Sequence, residues 1–175
     1  MKQKIRQTVL KRRDGLPPEQ RKDLDRKIME KVKPYTEGKE VLSYQAFSSE
    51  PDLSSLDKDL SFAYPKVLGK GLMKAYRSSV FEKSAYGIME PSGGEEALPE
   101  DLDVILVPLV CFDEDCHRLG HGGGYYDRFL KKTHALKIGI AYEIQKEKDI
   151  PIEEHDVCLD MVITEEKIYT KTGPR

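Results

Sequence analysis

Four glycines within five positions form the segment of this chain whose composition best suits ligand chemistry. They occupy position 120 and positions 122–124, between Arg118 and Arg128. Glycine adopts backbone conformations closed to other residues and lets the chain approach a ligand closely. Where such a loop leads into a helix, clustered N–H donors suit a phosphate group, and flanking arginines can pair with its oxygens. The segment indicates phosphate binding. A flexible surface turn is the alternative that the glycines alone leave open.

Two better-known phosphate-binding loops do not match this segment. A P-loop carries Lys and then Ser or Thr after its last glycine, whereas Gly124 is followed by two tyrosines. A dinucleotide fingerprint that begins at Gly120 requires a glycine at position 125, which is Tyr125. That fingerprint also normally opens its fold rather than following a late strand. The chain is therefore neither a P-loop nucleotide hydrolase nor a Rossmann dehydrogenase.

The length and composition favour one globular domain over residues 1–175. The chain has 175 residues, of which 38% are hydrophobic and 34% charged, a balance that allows a sizeable buried core. No apolar run approaches the roughly 20 residues that cross a bilayer, and no signal-peptide pattern follows the first residues. Three cysteines provide no disulfide framework, and Cys116-His117 lacks the second pair that a zinc site requires. We expect a cytoplasmic protein with no membrane partner.

Charge is distributed unevenly along the chain. The formal net charge of -2 gives the whole molecule no strong preference for nucleic acid, which we do not expect as a partner. The first 13 residues are nevertheless basic, with no acid before Asp14. Their cationic side chains are Lys2, Lys4, Arg6, Lys11, Arg12 and Arg13. Such a run can meet a polyanion, although a solvated helix face is the commoner explanation.

Helical patterns alternate with short apolar runs along the chain. Helices are predicted over 3–13, from Pro18 onward, briefly after Pro51, and over 125–132. Strands are predicted over 41–47, 61–65, 103–110, 136–141 and 157–163, with a further one near 74–77 inside a segment that is hard to interpret. This order predicts a three-layer αβα domain with a largely parallel central sheet. Ligands bind such sheets beyond the carboxyl ends of the strands, which is where the glycine segment follows the 103–110 strand.

The glycine segment carries a resemblance to a known family. The pattern Arg-Leu-Gly-x-Gly-Gly-Gly-Tyr-Tyr-Asp-Arg at 118–128 follows a strand that ends Val-Pro-Leu-Val-Cys-Phe-Asp at 107–113. Together they resemble the signature of the 5-formyltetrahydrofolate cyclo-ligase family. Weaker similarities occur in the right order along almost the whole chain, at Lys2 and Arg6, 16–20, 49–50, 64–66, 86–91, Gln145, 155–156 and 162–165.

The resemblance implies an activity. Members of that family convert 5-formyltetrahydrofolate to 5,10-methenyltetrahydrofolate, using ATP with Mg²⁺ and releasing ADP and phosphate. Phosphorylation of the formyl oxygen makes it a good leaving group, and N10 of the folate then closes the ring. Such catalysis depends on positioning, cations and backbone donors rather than on a nucleophilic side chain. The folate is the expected partner, with or without a polyglutamate tail, and the sequence sets no oligomeric state.

The resemblance also implies which residues bind the nucleotide. Lys2 and Arg6 match an N-terminal ATP-binding pair, and residues four positions apart share one face of a helix. Without the resemblance, both are expected to be solvated surface residues. The implied ATP-binding segment comprises Arg118, Leu119, Gly120, His121, Gly122, Gly123, Gly124, Tyr125 and Tyr126. Arg118 and Tyr125 are the implied catalytic side chains, although Tyr125 can equally stack on the folate or pack the loop.

A second set of residues matches the family's folate contacts. It comprises Gln45, Glu50, His121, Gly122, Gly123, Gly124 and Tyr125. A carboxylate at Glu50 suits the donor-rich pterin ring. The chain departs from the family pattern at two positions, with His121 where relatives often carry Arg or Tyr and Gly123 where some carry Lys. These departures leave backbone amides and the flanking arginines as the phosphate donors, and give His121 no essential role.

Two acids match the family's magnesium positions. Asp127 and Glu154 are the implied ligands, and Asp156 lies close enough in sequence to compete with Glu154. Mg²⁺ prefers hard carboxylate oxygens and commonly uses one or two beside the phosphates. The alternative interpretation of Asp127 is an acid in the first turn of a helix, where the helix dipole stabilises negative charge.

Two other functions stay open from the residues alone. One is an enzyme of similar architecture, such as a sugar-phosphate isomerase or a CoA-transferase-like protein, which would need no ATP. The other is a non-catalytic module that binds nucleotide or folate. ATP hydrolysis that depends on 5-formyltetrahydrofolate would separate the expected ligase from both.

Overall fold

The structure is a computed structural model that describes residues 1–171. The predicted domain spans 1–175, and its last residues, 172–175, lie outside the described residues. The helices are α1 (Lys2–Asp14), α2 (Pro18–Thr36) and α3 (Tyr125–Leu130). The strands are β1 (Val41–Leu42), β2 (Ala63–Gly69), β3 (Leu72–Arg77), β4 (Phe81–Lys83), β5 (Met89–Pro91), β6 (Glu95–Ala97), β7 (Val104–Pro108), β8 (Cys111–Phe112), β9 (Arg118–Leu119), β10 (Leu136–Ile140), β11 (Met161–Ile163) and β12 (Ile168–Thr170).

Eight strands form one sheet in the order β12-β11-β10-β7-β1-β2-β3-β6. The central strands β11, β10, β7, β1 and β2 pair in parallel. Strands β12, β3 and β6 pair antiparallel at the two sides of this block. The chain passes from β7 through α3 to its parallel neighbour β10, which forms a βαβ unit. The prediction of a largely parallel sheet is confirmed.

Both faces of the sheet are covered, which produces the three predicted layers. Successive side chains of a strand point to opposite faces. Leu106 of β7 lies in an apolar cluster with Ile28 and Val32 of α2. Its neighbour Val107 lies in a second cluster with Phe129 of α3. All of these side chains except Phe129 are fully buried, and Phe129 is 3% exposed. The continuous apolar run of β7 therefore reflects a strand buried on both faces.

The structure differs from the sequence prediction in several segments. The strand predicted over 157–163 is only Met161–Ile163 long, and the helix predicted after Pro51 is a single 3-10 turn at Ser54–Leu56. The strand predicted over 41–47 is only Val41–Leu42 long, because the chain then turns and the Tyr44 hydroxyl donates to the Pro51 carbonyl at 2.7 Å. The strand predicted near 74–77 is confirmed as β3. The short strands β4, β5 and β6 were not predicted, since runs of three largely polar residues carry no clear periodicity.

Helix α1 lies at the edge of the sheet where the central parallel strands end. The Arg12 guanidinium donates to the carbonyl of Ile144, in the turn after β10, at 2.9 Å. The buried amide of Gln145 in that turn donates to the carbonyls of Leu109 and Val110, just beyond β7. Segments that follow β7 and β10 are thus tied together beside α1. This is the edge at which a ligand was expected.

Two further sequence expectations concern the membrane and the cysteines. Within residues 1–171, no helix combines the length and apolar character needed to cross a bilayer. Cys111 and Cys116 are buried and Cys158 is half-buried, and all of these thiols are free. The cysteines therefore pack as small apolar side chains.

Candidate functional site

A short hairpin positions the glycine segment. Strands β8 and β9 pair through Cys111 and Leu119, and the amide of Val110 donates to the Leu119 carbonyl at 2.8 Å. The loop then leaves this hairpin and enters α3. Gly122 and Gly124 have φ angles of 105° and 71°, a region that side-chain-bearing residues rarely adopt. These two glycines are required by the backbone path and not merely tolerated in it.

Arg118 is buried beneath this loop. Its Nη1 lies 3.4 Å from Oδ1 of Asp127, its Nη2 lies 3.4 Å from the Pro108 carbonyl, and its guanidinium is 5.6 Å from the centre of the Tyr126 ring. Its Nε is buried without a hydrogen-bond partner in the described chain. Burial lowers the pKa of Arg118, an effect that the charge of Asp127 opposes. A buried donor without a partner is costly, so Nε is suited to an acceptor that a ligand supplies.

Helix α1 brings a second guanidinium to the loop. The Nε of Arg6 donates to the carbonyl of Gly120 at 2.6 Å. A Cβ added at Gly122 would lie 3.6 Å from Cζ of Arg6, so the space beside that glycine is bounded by the cation. Lys2, four residues earlier, lies 2.8 Å from Glu153 and 3.3 Å from Asp156. Lys2 and Arg6 therefore contact two neighbouring segments, the acids at 153–156 and the glycine loop, from the same helix.

The remaining side chains of the loop mainly shape it. Arg128 is exposed, donates to the carbonyl of Gly123 at 3.1 Å and rests against Gly71. Leu119 is buried with Val110 in an apolar cluster, so its side chain faces away from solvent. The ring of Tyr125 covers Gly123, where an added Cβ would lie 2.7 Å from it. These contacts favour loop packing for Tyr125, whose predicted catalytic role stays a prediction.

Glu50 lies beside the loop although it follows β1. Its side chain is 7% exposed, and its Oε1 accepts a hydrogen bond from the Phe47 amide at 2.8 Å. Its Oε2 is 4.0 Å from Nε2 of His121, which is too far for a hydrogen bond. Burial raises the pKa of Glu50, and the Phe47 amide and the charge of Arg13 oppose that rise. Glu50 therefore keeps one carboxylate oxygen available to a ligand.

Arg13 is the residue of this site that the sequence did not identify. It is only 2% exposed, whereas a solvated helix face was expected for the basic run. Its Nε donates to Oγ of Ser49 at 2.8 Å, and that hydroxyl donates in turn to the carboxylate of Asp14. Its Nη1 is buried without a hydrogen-bond partner among residues 1–171. Its position at the end of a basic helix offered no signal, because only the tertiary fold buries that end.

His121 lies near both Glu50 and the arginines beside the glycine loop. Half of its side-chain surface is exposed, and its Nε2 lies 4.0 Å from Oε2 of Glu50. Burial, together with three surrounding arginines, lowers the pKa of His121 to about 4. The imidazole is therefore neutral at pH 7 and does not cancel the charge of Glu50. Gln45, the other predicted folate contact, is half-buried in the segment between β1 and Glu50.

The predicted metal ligands lie near the same loop. Oδ1 of Asp127 accepts a hydrogen bond from the Val157 amide at 3.1 Å, which brings the 153–157 segment against α3. Asp156 in that segment is half-buried, whereas Glu154 is exposed. Among residues 1–171, no group of three or more His, Cys, Asp or Glu side chains is arranged to hold a metal. Mg²⁺ takes one or two protein carboxylates and completes its shell with water and phosphate oxygens, so the carboxylates of Asp127 and Asp156 have the chemistry that such an ion requires.

The site thus has two parts, which we name by their residues. The loop half comprises the loop at 120–124 with Arg6 and Arg118. The carboxylate half comprises Glu50 with Arg13. The fold and these two halves define an α/β protein with a glycine loop, contacted by arginines, at the carboxyl edge of a parallel sheet.

Comparison with known proteins identifies the family. The family model described as the 5-formyltetrahydrofolate cyclo-ligase family matches residues 1–165, so the chain belongs to that family of ligases. A 5-formyltetrahydrofolate cyclo-ligase of Escherichia coli is 31% identical over 179 residues, which cover 92% of this chain and 98% of that protein. A probable 5-formyltetrahydrofolate cyclo-ligase of Schizosaccharomyces pombe is 35% identical over 126 residues, 59% of this chain and 61% of that protein.

A solved structure shares the fold. The NMR structure of Aquifex aeolicus 5,10-methenyltetrahydrofolate synthetase superposes with a TM-score of 0.87 and is 36% identical. The superposition covers 99% of this chain and 94% of the Aquifex chain. The predicted family and fold are therefore both confirmed.

Proposed function

We propose that this protein converts 5-formyltetrahydrofolate to 5,10-methenyltetrahydrofolate at the expense of ATP, releasing ADP and phosphate. The observation that carries the proposal is the convergence of Arg6 and Arg118 on one glycine loop, with Nε of Arg118 buried and unpartnered. Membership of the cyclo-ligase family supports the choice of reaction. The free thiols suit a reducing compartment, and we place the activity in the cytoplasm.

The loop half is suited to a triphosphate. α3 has only six residues, so we assign the recognition to the loop amides and the two guanidinium groups rather than to a helix dipole. Guanidinium groups make paired, charge-assisted hydrogen bonds to phosphate oxygens. Among residues 1–171, Arg118 pairs with one carboxylate, that of Asp127 at 3.4 Å, so its charge is only partly compensated. A polyanion at this place would satisfy the orphaned nitrogen and balance the excess positive charge.

The carboxylate half is suited to the pterin ring of the folate. The 2-amino group and N3–H of a reduced pterin are neighbouring donors on one edge of the ring. Oε2 of Glu50 is available to accept from such an edge, while Oε1 is held by the Phe47 amide. The half-exposed imidazole of His121 lies between this carboxylate and the loop. The folate and ATP would therefore bind on opposite sides of His121.

The proposed chemistry consists of two displacements. The formyl oxygen attacks the γ-phosphorus, the bond from that phosphorus to the bridging oxygen breaks, and ADP leaves. N10 then attacks the formyl carbon, the carbon–oxygen bond to the phosphate breaks, and N10 loses its proton as the ring closes. Arg118 and Arg6 would hold the oxygens of the group in transfer and stabilise the charge that builds on them.

Magnesium would be held by carboxylates at the edge of the loop half. We propose Asp127 and Asp156 as its protein ligands, in preference to Glu154, because Asp156 is half-buried and lies next to the Val157 amide that binds Asp127. When bound, the ion neutralises phosphate charge during phosphoryl transfer. Lys2, which lies 3.3 Å from Asp156, would then be available to the phosphates.

An absorbance assay tests the proposal directly. Purified protein is mixed with 5-formyltetrahydrofolate, and methenyltetrahydrofolate is followed with and without MgATP, while ADP is measured in parallel. We expect product only when both substrates are present, with one ADP formed for each methenyl group. Nucleotide binding without turnover would instead support a non-catalytic module. Folate-independent chemistry on a sugar phosphate or CoA ester would support an isomerase or a CoA-transferase-like enzyme.

A further inference from the structure

The carboxylate half contains two opposite charges that are buried close together without forming an ion pair. Arg13 Nε donates to Oγ of Ser49, the residue directly before Glu50, at 2.8 Å, yet within residues 1–171 no hydrogen bond or ion pair joins Arg13 to Glu50. Removing two charges from water is unfavourable unless each is compensated by direct partners. A fold that only required stability would bring them into contact. Their separation is better explained by a ligand that bonds to both.

The guanidinium of Arg13 is held in a fixed orientation. Its Nε donates to Ser49 Oγ at 2.8 Å, and the Ser49 hydroxyl is bound by Asp14. Ser49 is also the residue before Glu50, so the same short segment sets the positions of both charged groups. With Nε occupied, Nη1 is the buried donor that has no partner among the described residues. Glu50 has the complementary arrangement, with Oε1 occupied and Oε2 available.

This arrangement selects a particular ligand chemistry. An acceptor at Glu50 beside a donor at Arg13 matches a flat heterocycle whose edge presents N–H groups next to a carbonyl oxygen. The pyrimidine edge of a pterin presents its 2-amino group and N3–H, followed by the oxygen on C4. A triphosphate would be attracted to Arg13 but repelled by Glu50, so it does not fit this half.

We propose that Arg13 is a specificity-determining residue that donates a hydrogen bond to the C4 oxygen of the pterin while Glu50 accepts from N3–H and the 2-amino group. This inference rests on the proposed function, because it assigns a contact within the proposed folate site. Nη1 is covered in this structure, so a neighbouring side chain must move when the ligand binds. His121 has the freedom to do so, since it is half exposed and stands between glycines.

The test compares substitutions at two cations of helix α1. Arg13→Met removes the donor, and Arg13→Lys keeps the charge but not the planar fork. Lys11→Met is the matched control, because Lys11 is an exposed cation of the same helix. We expect Arg13→Met to raise the KM for 5-formyltetrahydrofolate at least about tenfold, as expected for loss of a hydrogen bond to a charged group. The KM for ATP should stay within about twofold of the parent, and Lys11→Met should change neither constant.

A ligand analogue separates a direct contact from general destabilisation. Calorimetry measures the affinities of 5-formyltetrahydrofolate and its 4-amino analogue, in which a donor replaces the C4 oxygen and N3 carries no hydrogen; the second change affects parent and variant alike. Arg13→Met should shift the ratio of these affinities toward the amino analogue about tenfold relative to the parent, because Glu50 is the same in both proteins. Arg13→Lys should shift it in the same direction and serves if Arg13→Met does not fold. An unchanged ratio, or a rise in the KM for ATP instead, overturns the inference. A parent protein that binds no folate refutes the proposed function itself.

Discussion

The two halves of the site differ in how their charges are arranged. In the loop half, Arg6 and Arg118 converge, and within residues 1–171 the acid paired with Arg118 is Asp127, at 3.4 Å. In the carboxylate half, Arg13 and Glu50 are both buried, and Ser49 next to Glu50 binds Arg13, but no ion pair joins the two charges among the described residues. An excess of one sign attracts a polyanion, whereas an unpaired couple of opposite sign matches a neutral edge of donors and acceptors. The difference supports the proposal that each half binds a different substrate.

This division predicts that single substitutions affect one substrate and spare the other. Changes in the loop half should alter the use of ATP and the rate of phosphoryl transfer. Changes in the carboxylate half should alter the binding of the folate. A substitution in one half that altered the binding of the other half's substrate would contradict this division.

The largest effect is expected at Arg118. Arg118→Ala removes a buried donor to the group in transfer and should lower kcat by about 10²- to 10³-fold, as for loss of a preorganised transition-state donor. Steady-state kinetics checks this, with circular dichroism to confirm folding. Arg118→Lys keeps a charge without the fork and should recover only part of the loss. A kcat within a few-fold of the parent for Arg118→Ala would show that the loop half does not act on the transferred phosphate.

Glu50 should carry the next largest effect. Glu50→Gln replaces one acceptor oxygen with a donor and should raise the KM for 5-formyltetrahydrofolate roughly 30-fold, equivalent to about 2 kcal/mol for loss of a buried charged partner. The KM for ATP should be unchanged, which the same assay measures with ATP as the varied substrate. If both constants rise together, the two halves bind one shared ligand and the division is wrong.

Arg6 should give a smaller and more selective effect. Arg6→Ala removes a charge-assisted contact at the half-exposed edge of the loop and should raise the KM for ATP about tenfold. The KM for the folate should not move. Lys4→Ala is the matched control, because Lys4 is an exposed cation of the same helix. Equal effects from the two substitutions would indicate general attraction by a basic helix rather than a contact at Gly120.

The smallest effect concerns stability and pH. Because burial raises the pKa of Glu50, the folded state holds its proton more tightly than the unfolded chain, and stability falls as pH rises through this window. Glu50→Gln should therefore raise the melting temperature at pH 7. The gain should disappear below the unfolded-state pKa of about 4.3, where the parent carboxyl is protonated in both states. Thermal scans between pH 4 and pH 8 measure this, and a variant that melts lower than the parent at pH 7 contradicts the expected cost of that buried charge.

Several features could be predicted because they depend on neighbours in sequence. The buried strand β7 is a continuous apolar run, and the glycine segment that follows it is contiguous with Arg118. The four-residue spacing of Lys2 and Arg6 placed them on one face of a helix, and the structure brings them to adjoining segments. The short strands β4 to β6 escaped prediction because three residues are too few to establish a period.

The sequence by itself determined the fold class, the family and the loop half, since local apolar patterns and one contiguous motif specify them. In the carboxylate half, Glu50 was expected from the family resemblance, and only the tertiary structure added Arg13 beside it. In the sequence, Arg13 does not differ from the other cations of a basic helix. In the structure, α1 packs against the segment that follows β1, where Ser49 binds Arg13 and Glu50 lies beside it. The physical reason is that burial and charge compensation are set by residues distant in the chain. Spacing along one helix cannot encode them.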